Sequence, residues 1–290
     1  MRLTPWSLFI LMAMGIIVNI PVSLLAQSQP IQQVGQPNSE EEVKQKNLQV
    51  LRLYMEGNYT DAINLAERTL AIAQKILGKE HPELATSLEN LAILYQVQGN
   101  YQQVEPLLQR ALVILEKVRG KEHPEIARIL NNLAQVYQVQ GNFQQAEPLL
   151  QRSLLIAQKL LGKEHLFVAQ NLYALASLYF VQGNFQQAEP LYKRVLTILE
   201  KQLGKEQPLV ASTLDGLASL YQAQGRHQQA EPLYKRSLAI REKVLGKENP
   251  DIVSTLHGLA YLYQTQGAPL VPWCLQILIT TSKKKGLPIK

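Results

Sequence analysis

Residues 127–168 read ARILNNLAQVYQVQGNFQQAEPLLQRSLLIAQKLLGKEHLFV, and most of the chain is copied from this stretch. Its central Gly141 recurs as Gly57, Gly99, Gly183, Gly225 and Gly267, so the step is 42 residues. A second glycine keeps that step, at Gly78, Gly120, Gly162, Gly204 and Gly246. A fixed period of this size means stacked supersecondary units, each burying its apolar face against the next.

Each unit reads as two helices. Leu130, Leu133, Ala134 and Tyr137 stand at i, i+3, i+4 and i+7, which puts one apolar stripe on a helix. The stripe repeats as Leu88, Leu91, Ala92 and Tyr95, and as Leu214, Leu217, Ala218 and Tyr221. Gly141 stops this helix, where a left-handed residue costs least. Asn142 follows as N-cap, with Gln145 as its capping-box partner. Phe143, Ala146, Leu150, Leu154, Ala157 and Leu161 line the inner side of the second helix, and Gly162 ends it. The loop Gly-Lys-Glu is followed by Pro82, Pro124, Pro208 and Pro250, each suited to the first turn of the next helix. His81, His123, Gln207 and Asn249 precede these prolines as candidate caps. The pattern predicts helices over 84–98 and 101–119, repeated every 42 residues to Gly267, with no strand in the body. Pro106, Pro148, Pro190 and Pro232 fall inside second helices and predict a slight bend.

The order Leu130, Leu133, Ala134, Tyr137, Gly141, Ala146 and Leu150 resembles the tetratricopeptide repeat (TPR). Gln158 stands where that family's closing proline is usual, and the period exceeds the family's roughly 34 residues. The phrases at Ala188–Pro208 and Ala230–Pro250 resemble the kinesin-light-chain type of this repeat. HEAT repeats share the length range but do not account for the Leu-Ala/Tyr/Gly/Ala order. The resemblance covers residues 43–267 and implies an all-α, right-handed superhelical solenoid of antiparallel helix pairs.

The chain has 290 residues and a net charge of +6. Residues 1–26 hold one basic residue and 283–290 hold four, which leaves 24 basic against 23 acidic residues between. The repeat body is therefore nearly neutral and carries no nucleic-acid footprint. Residues 1–26 read as an export signal, with Arg2 before an apolar run and small residues at Ala26 and Ser28. That reading places the protein in the periplasm or envelope; the competing reading is an uncleaved membrane anchor over residues 6–26. Residues 27–42, rich in Gln, Pro and Ser, read as a flexible spacer. The first repeat starts atypically, with Val43, Gln49 and Leu53 where later copies have Ala, Leu and Tyr. After Gly267 the pattern stops, and residues 268–290 read as an irregular tail, from a capping segment, a truncation or a frame change.

The chemistry of catalysis is not legible here. Three of the five histidines share the inter-repeat loop at the 42-residue step and cannot converge on one metal. Cys274 is the only cysteine, so neither a disulfide within the chain nor a cysteine zinc site is expected. Leu-Gly-Lys-Glu resembles a phosphate loop only superficially, because Glu80 and its copies replace the Ser or Thr that magnesium needs. No cofactor and no metal are expected. Glu–Lys pairs such as Glu200 with Lys201 read as solvated helix faces.

The resemblance implies that first helices line a concave groove that binds protein segments. Opposite the core stripe, the helical wheel places Arg128, Asn131, Gln135 and Gln138, with Asn132 at the edge, as a water-wetted face. The matching residues include Asn90 before them, then Tyr173, Ser177 and Phe180, then Asp215 and Gln222. On that wheel Tyr173 and Phe180 anchor a partner side chain, and exchanging them for sister-repeat residues leaves stability intact. The sequence thus reads as a non-enzymatic scaffold that binds an extended peptide or a partner helix. The alternative is a remnant of a larger TPR protein whose effector domain, for example a caspase-like peptidase, is missing.

Overall fold

A computed structural model describes residues 39–265 apart from Glu248. The expected export segment and the tail at 268–290 lie outside the described residues. Eleven helices occur among the described residues, and no strand. They are α1 (Ser39–Met55), α2 (Tyr59–Ile76), α3 (Pro82–Val97), α4 (Tyr101–Arg119), α5 (Pro124–Val139), α6 (Phe143–Leu161), α7 (Leu166–Val181), α8 (Phe185–Leu203), α9 (Pro208–Ala223), α10 (His227–Leu245) and α11 (Ile252–Thr265). The described residues divide into two compact units, one up to Lys163 and one from Glu164. The first holds the pairs α1–α2, α3–α4 and α5–α6; the second holds α7–α8, α9–α10 and the first helix α11.

Local chemistry sets the helix ends. Gly141 has φ +76°. Its amide donates to the Gln138 carbonyl at 3.1 Å, and the Asn142 amide reaches back to the Tyr137 carbonyl at 2.7 Å. These two bonds satisfy carbonyls that the helix end would orphan. The capping box expected at Asn142 does not form. Its φ of −87° and ψ of 60° lie outside the extended region from which a side chain reaches the first amides, and it makes no side-chain cap. Histidines do cap first helices: the Nδ1 atoms of His81, His123 and His165 accept from the amides of Glu83, Glu125 and Phe167 at 3.2, 3.4 and 3.1 Å. Asn249 Oδ1 does the same for Asp251 at 2.8 Å, whereas Gln207 makes no side-chain cap.

The inner stripes pack as the pattern requires. Leu130, Ala134, Ala146 and Leu150 are fully buried, so the alanines bring α5 and α6 close together. Each tyrosine of the stripe does more than fill space. Tyr137 donates to Glu105 on α4 at 3.0 Å, Tyr221 to Glu189 on α8 at 2.9 Å, and Tyr263 to Glu231 on α10 at 2.9 Å. The proline after each of these glutamates lies on the exposed side of its helix, where water can satisfy the carbonyl left without an amide.

The first repeat keeps the 42-residue register but starts one residue early. Helix α1 begins at Ser39, so its first turn lies inside the stretch read as spacer. Its buried side chains Val43, Asn47, Val50 and Tyr54 stand one repeat before Ala85, Glu89, Ala92 and Gln96, which are buried too, while Gln49 is exposed and Leu53 half-buried. The loop glutamates are not idle either. Lys117 pairs with Glu80 and Lys159 with Glu122, each across one repeat, and Lys201 with Glu164 at 2.5 Å. Glu200 pairs not with Lys201 but with Arg236, at 2.6 Å.

Candidate functional site

The first helices carry the candidate residues, and the structure corrects where these point. In the first unit Asn90, Asn131, Asn132 and Gln135 are 6, 0, 5 and 8% exposed, not wetted. They are turned toward each other across adjacent first helices. Asn47 Oδ1 on α1 accepts from Ser87 Oγ at 3.0 Å and from Asn90 Nδ2 at 3.3 Å. Gln96 on α3 donates to Gln135 on α5 at 3.3 Å, and Gln135 donates to Asn131 at 2.8 Å. Arg128 meets Glu89 through Nε–Oε1 at 2.7 Å and Nη2–Oε2 at 2.6 Å, and Asn132 adds a bond at 3.2 Å. Glu89 is 3% exposed, and burial pushes its carboxyl up against the pull of Arg128. Gln138 is half-buried. The physical reason for the correction is simple. A first helix packs on its own second helix and also on the neighbouring first helix, whereas the wheel of one helix marks only one core stripe.

In the second unit, second-helix side chains reach through to the first-helix face. Tyr192 on α8 passes beside Gly216, where an added Cβ would stand 2.9 Å from its ring, and its hydroxyl meets Ser177 at 3.1 Å. Tyr234 on α10 passes beside Gly258 in the same way and bonds Ser219 at 2.9 Å and Gln222 at 2.8 Å. Tyr173 is half-buried and packs edge-on against Tyr192, with ring centroids 5.6 Å apart. Burial, then the nearby Asp215 carboxylate, pushes its phenol up. Phe180 is half-buried with its ring 5.9 Å from that of Phe185. Both rings therefore belong partly to the packing, so exchanging them is expected to cost stability. Asp215 is bound by Arg241 Nη2 at 3.0 Å and by Thr255 at 2.8 Å.

Sequence reasoning missed Arg241, and missed the pairing of Tyr192 with Gly216 and of Tyr234 with Gly258. The signal was present in the repeats. Arg241 stands where sister pairs have Leu115, Ala157 and Leu199. Where second helices carry Leu108, the next first helix carries Asn132; where they carry Tyr192 or Tyr234, it carries Gly216 or Gly258.

Some apolar surface stays open. Helix α7 contains no charged residue, yet Val181 is 62% and Leu166 37% exposed. Among the described residues no cluster of His, Cys, Asp or Glu is arranged to hold a metal. No helix among them is long and apolar enough to cross a membrane.

The tetratricopeptide-repeat family model matches residues 52–117, 85–138, 125–201 and 209–269. No curated protein sequence matches. A Podosopora anserina protein with nearly identical TPR-like repeats of kinesin-light-chain type is 30% identical. That match covers 72% of this chain and 99% of the other, with a TM-score of 0.61. BtubC (BKLC) from P. vanneervenii is 26% identical, with 83% and 93% covered and a TM-score of 0.63. NprR, solved in complex with its cognate peptide NprX, shares the fold at 16% identity, with 91% and 72% covered and a TM-score of 0.63. The 42-residue helix pairs, their tyrosine–glutamate contacts and these matches together make the chain a member of the tetratricopeptide-repeat family, built of kinesin-light-chain-like repeats.

Proposed function

We propose that this protein is a non-enzymatic scaffold that holds an extended peptide or a partner helix along the first helices. TPR proteins typically work through protein–protein contacts, and the peptide complex of NprR is formed by the same fold. The observation that carries the reading is α7. A helix with no charged residue is expected to be buried on all sides. Here Leu166 and Val181 are exposed, and Tyr173 and Phe180 are half-exposed beside them. Apolar side chains grouped on one helix mark an interaction surface more than scattered ones do. The neutral repeat body argues for a protein partner over nucleic acid. The apolar run at residues 6–20 favours export, which would place this groove outside the cytoplasm.

Selection of a random displayed-peptide library on the immobilised full chain tests the reading. Selected peptides should lose about 2 kcal/mol of affinity on Phe180→Gln, as for a buried anchor. They should be indifferent to Val113→Lys on the outer side of α4. Full affinity in a folded Phe180→Gln protein would place the binding site elsewhere.

A further inference from the structure

Residues 268–282, APLVPWCLQILITTS, hold no charged side chain. They follow α11 where the 42-residue register would begin a second helix, but they carry the wrong residues for one. The places of Ala146, Leu150 and Ala157, all buried on α6, fall to Pro272, Gln276 and Lys283. Proline there offers no amide and does not allow the close approach that alanine does. A lysine in a buried place without a partner is costly. The apolar side chains of this stretch, Trp273 and Leu275 among them, therefore need a different surface.

The second unit has one that matches. Helices α7, α9 and α11 together carry one carboxylate and no Lys or Arg. That carboxylate, Asp215, is tied to Arg241 at 3.0 Å and to Thr255 at 2.8 Å. The second helices differ: Lys193 on α8 and Lys235 on α10 are exposed charges on their outer sides. An uncharged segment laid over such charges strips their water and gives nothing back, whereas the first-helix face has almost none to strip. On that face Val181 is 62% and Tyr261 61% exposed, and Phe180 is half-buried. Phe180 and Val181 stand in the last turn of α7, and the chain leaves α11 from its last turn at Thr265. Cys274 comes nine residues later, a reach of about 30 Å when extended. Helix α7 lies two packed helices away, about 20 Å. Pro269 and Pro272 bias the residues before them toward extended backbone. We propose that residues 268–282 lie as an extended segment along the first-helix face of α11, α9 and α7, and that a partner must displace them to bind. Only the second half, the competition, rests on the peptide-binding reading above.

Cys274 is the only cysteine of the chain, which makes the seating directly testable. A second cysteine is placed in the full chain at Ala223 or Val181, exposed ends of α9 and α7, or at Ala239 on the outer side of α10. All three places are exposed, so the fold tolerates the change. With diamide as oxidant, Ala223→Cys and Val181→Cys should form a disulfide with Cys274 within one chain, and Ala239→Cys should not. Mass spectrometry of the digested monomer reads the link. Equal linkage at Ala239→Cys, no linkage at Ala223→Cys and Val181→Cys, or linkage only between two chains overturns the seating. Competition is read with peptides from the library selection. The double variant Trp273→Asp with Leu275→Asp should bind them about tenfold more tightly, as when the parent face is free a tenth of the time. Unchanged affinity overturns the competition. A library without binders to either protein overturns the peptide-binding reading and the competition together, and the disulfides then decide the seating alone.

Discussion

Replacing Arg128 with methionine separates a buried ion pair from a surface one. Glu89 is 3% and Arg128 21% exposed, and three hydrogen bonds reach the Glu89 carboxylate, two of them from the arginine. Arg128→Met leaves a buried carboxylate with only the 3.2 Å bond from Asn132. Breaking a buried pair from one side costs about 3–5 kcal/mol, because the remaining charge stays desolvated. Arg128→Met should lower the urea-unfolding free energy by that amount at neutral pH. Replacing both partners, Glu89→Gln with Arg128→Met, should recover the parent stability to within about 1 kcal/mol, since no charge is then stranded. A pH arm adds a sign. Burial raises the folded-state value of Glu89. Without Arg128 that upward push is unopposed, so the protonated form favours the folded state. The deficit is therefore full at neutral pH and shrinks as the pH falls toward the ordinary carboxylate value of 4.5. A cost of less than about 1 kcal/mol, as for an exposed pair, would refute the buried-network account.

Further outcomes follow from other contacts. Gly216→Ala should destabilise by about 1–3 kcal/mol, because its Cβ would stand 2.9 Å from the Tyr192 ring. Tyr192→Leu, the residue at Leu108, should rescue it in thermal unfolding; a more stable Gly216→Ala protein would contradict the close approach. Tyr173→Asn should cost more than about 1 kcal/mol through its edge-on ring contact with Tyr192, and a neutral result would restore Tyr173 to the solvated surface. Glu189 is partly desolvated, but hydrogen bonds from Arg226, Lys193 and Tyr221 hold its carboxyl down at about 2. Its contribution is thus present above the unfolded value of 4.5 and lost as the pH falls toward 2. An NMR titration of its side chain should show the low midpoint, and Glu189→Gln should flatten acid unfolding in that window.

The helix bounds were legible because their punctuation is local. The expected helix over 101–119 is α4 residue for residue, and the one over 84–98 differs from α3 by two residues at its start and one at its end. Glycines with positive φ end the helices and prolines start them, whatever the neighbours do. The candidate site was less legible. The wheel places Asn131 and Gln135 in water, and the structure buries both. Their partners lie on other helices: Gln96 bonds Gln135 from 39 positions away, and Asn47 bonds Asn90 from 43. No window of one helix contains such a pair.

By itself the sequence determined the period, the two-helix unit, the apolar stripe and the near-neutral body. All of these depend on spacing within one turn or one repeat. Only the tertiary structure decided that first helices have a second buried face, and that Glu89 is a buried acid while Glu80 is an exposed one. It alone decided that Tyr192 reaches through the gap left by Gly216. The physical reason is that burial belongs to a residue's neighbours in space. Two glutamates with the same chemistry differ only in which helix the stacked fold brings against them.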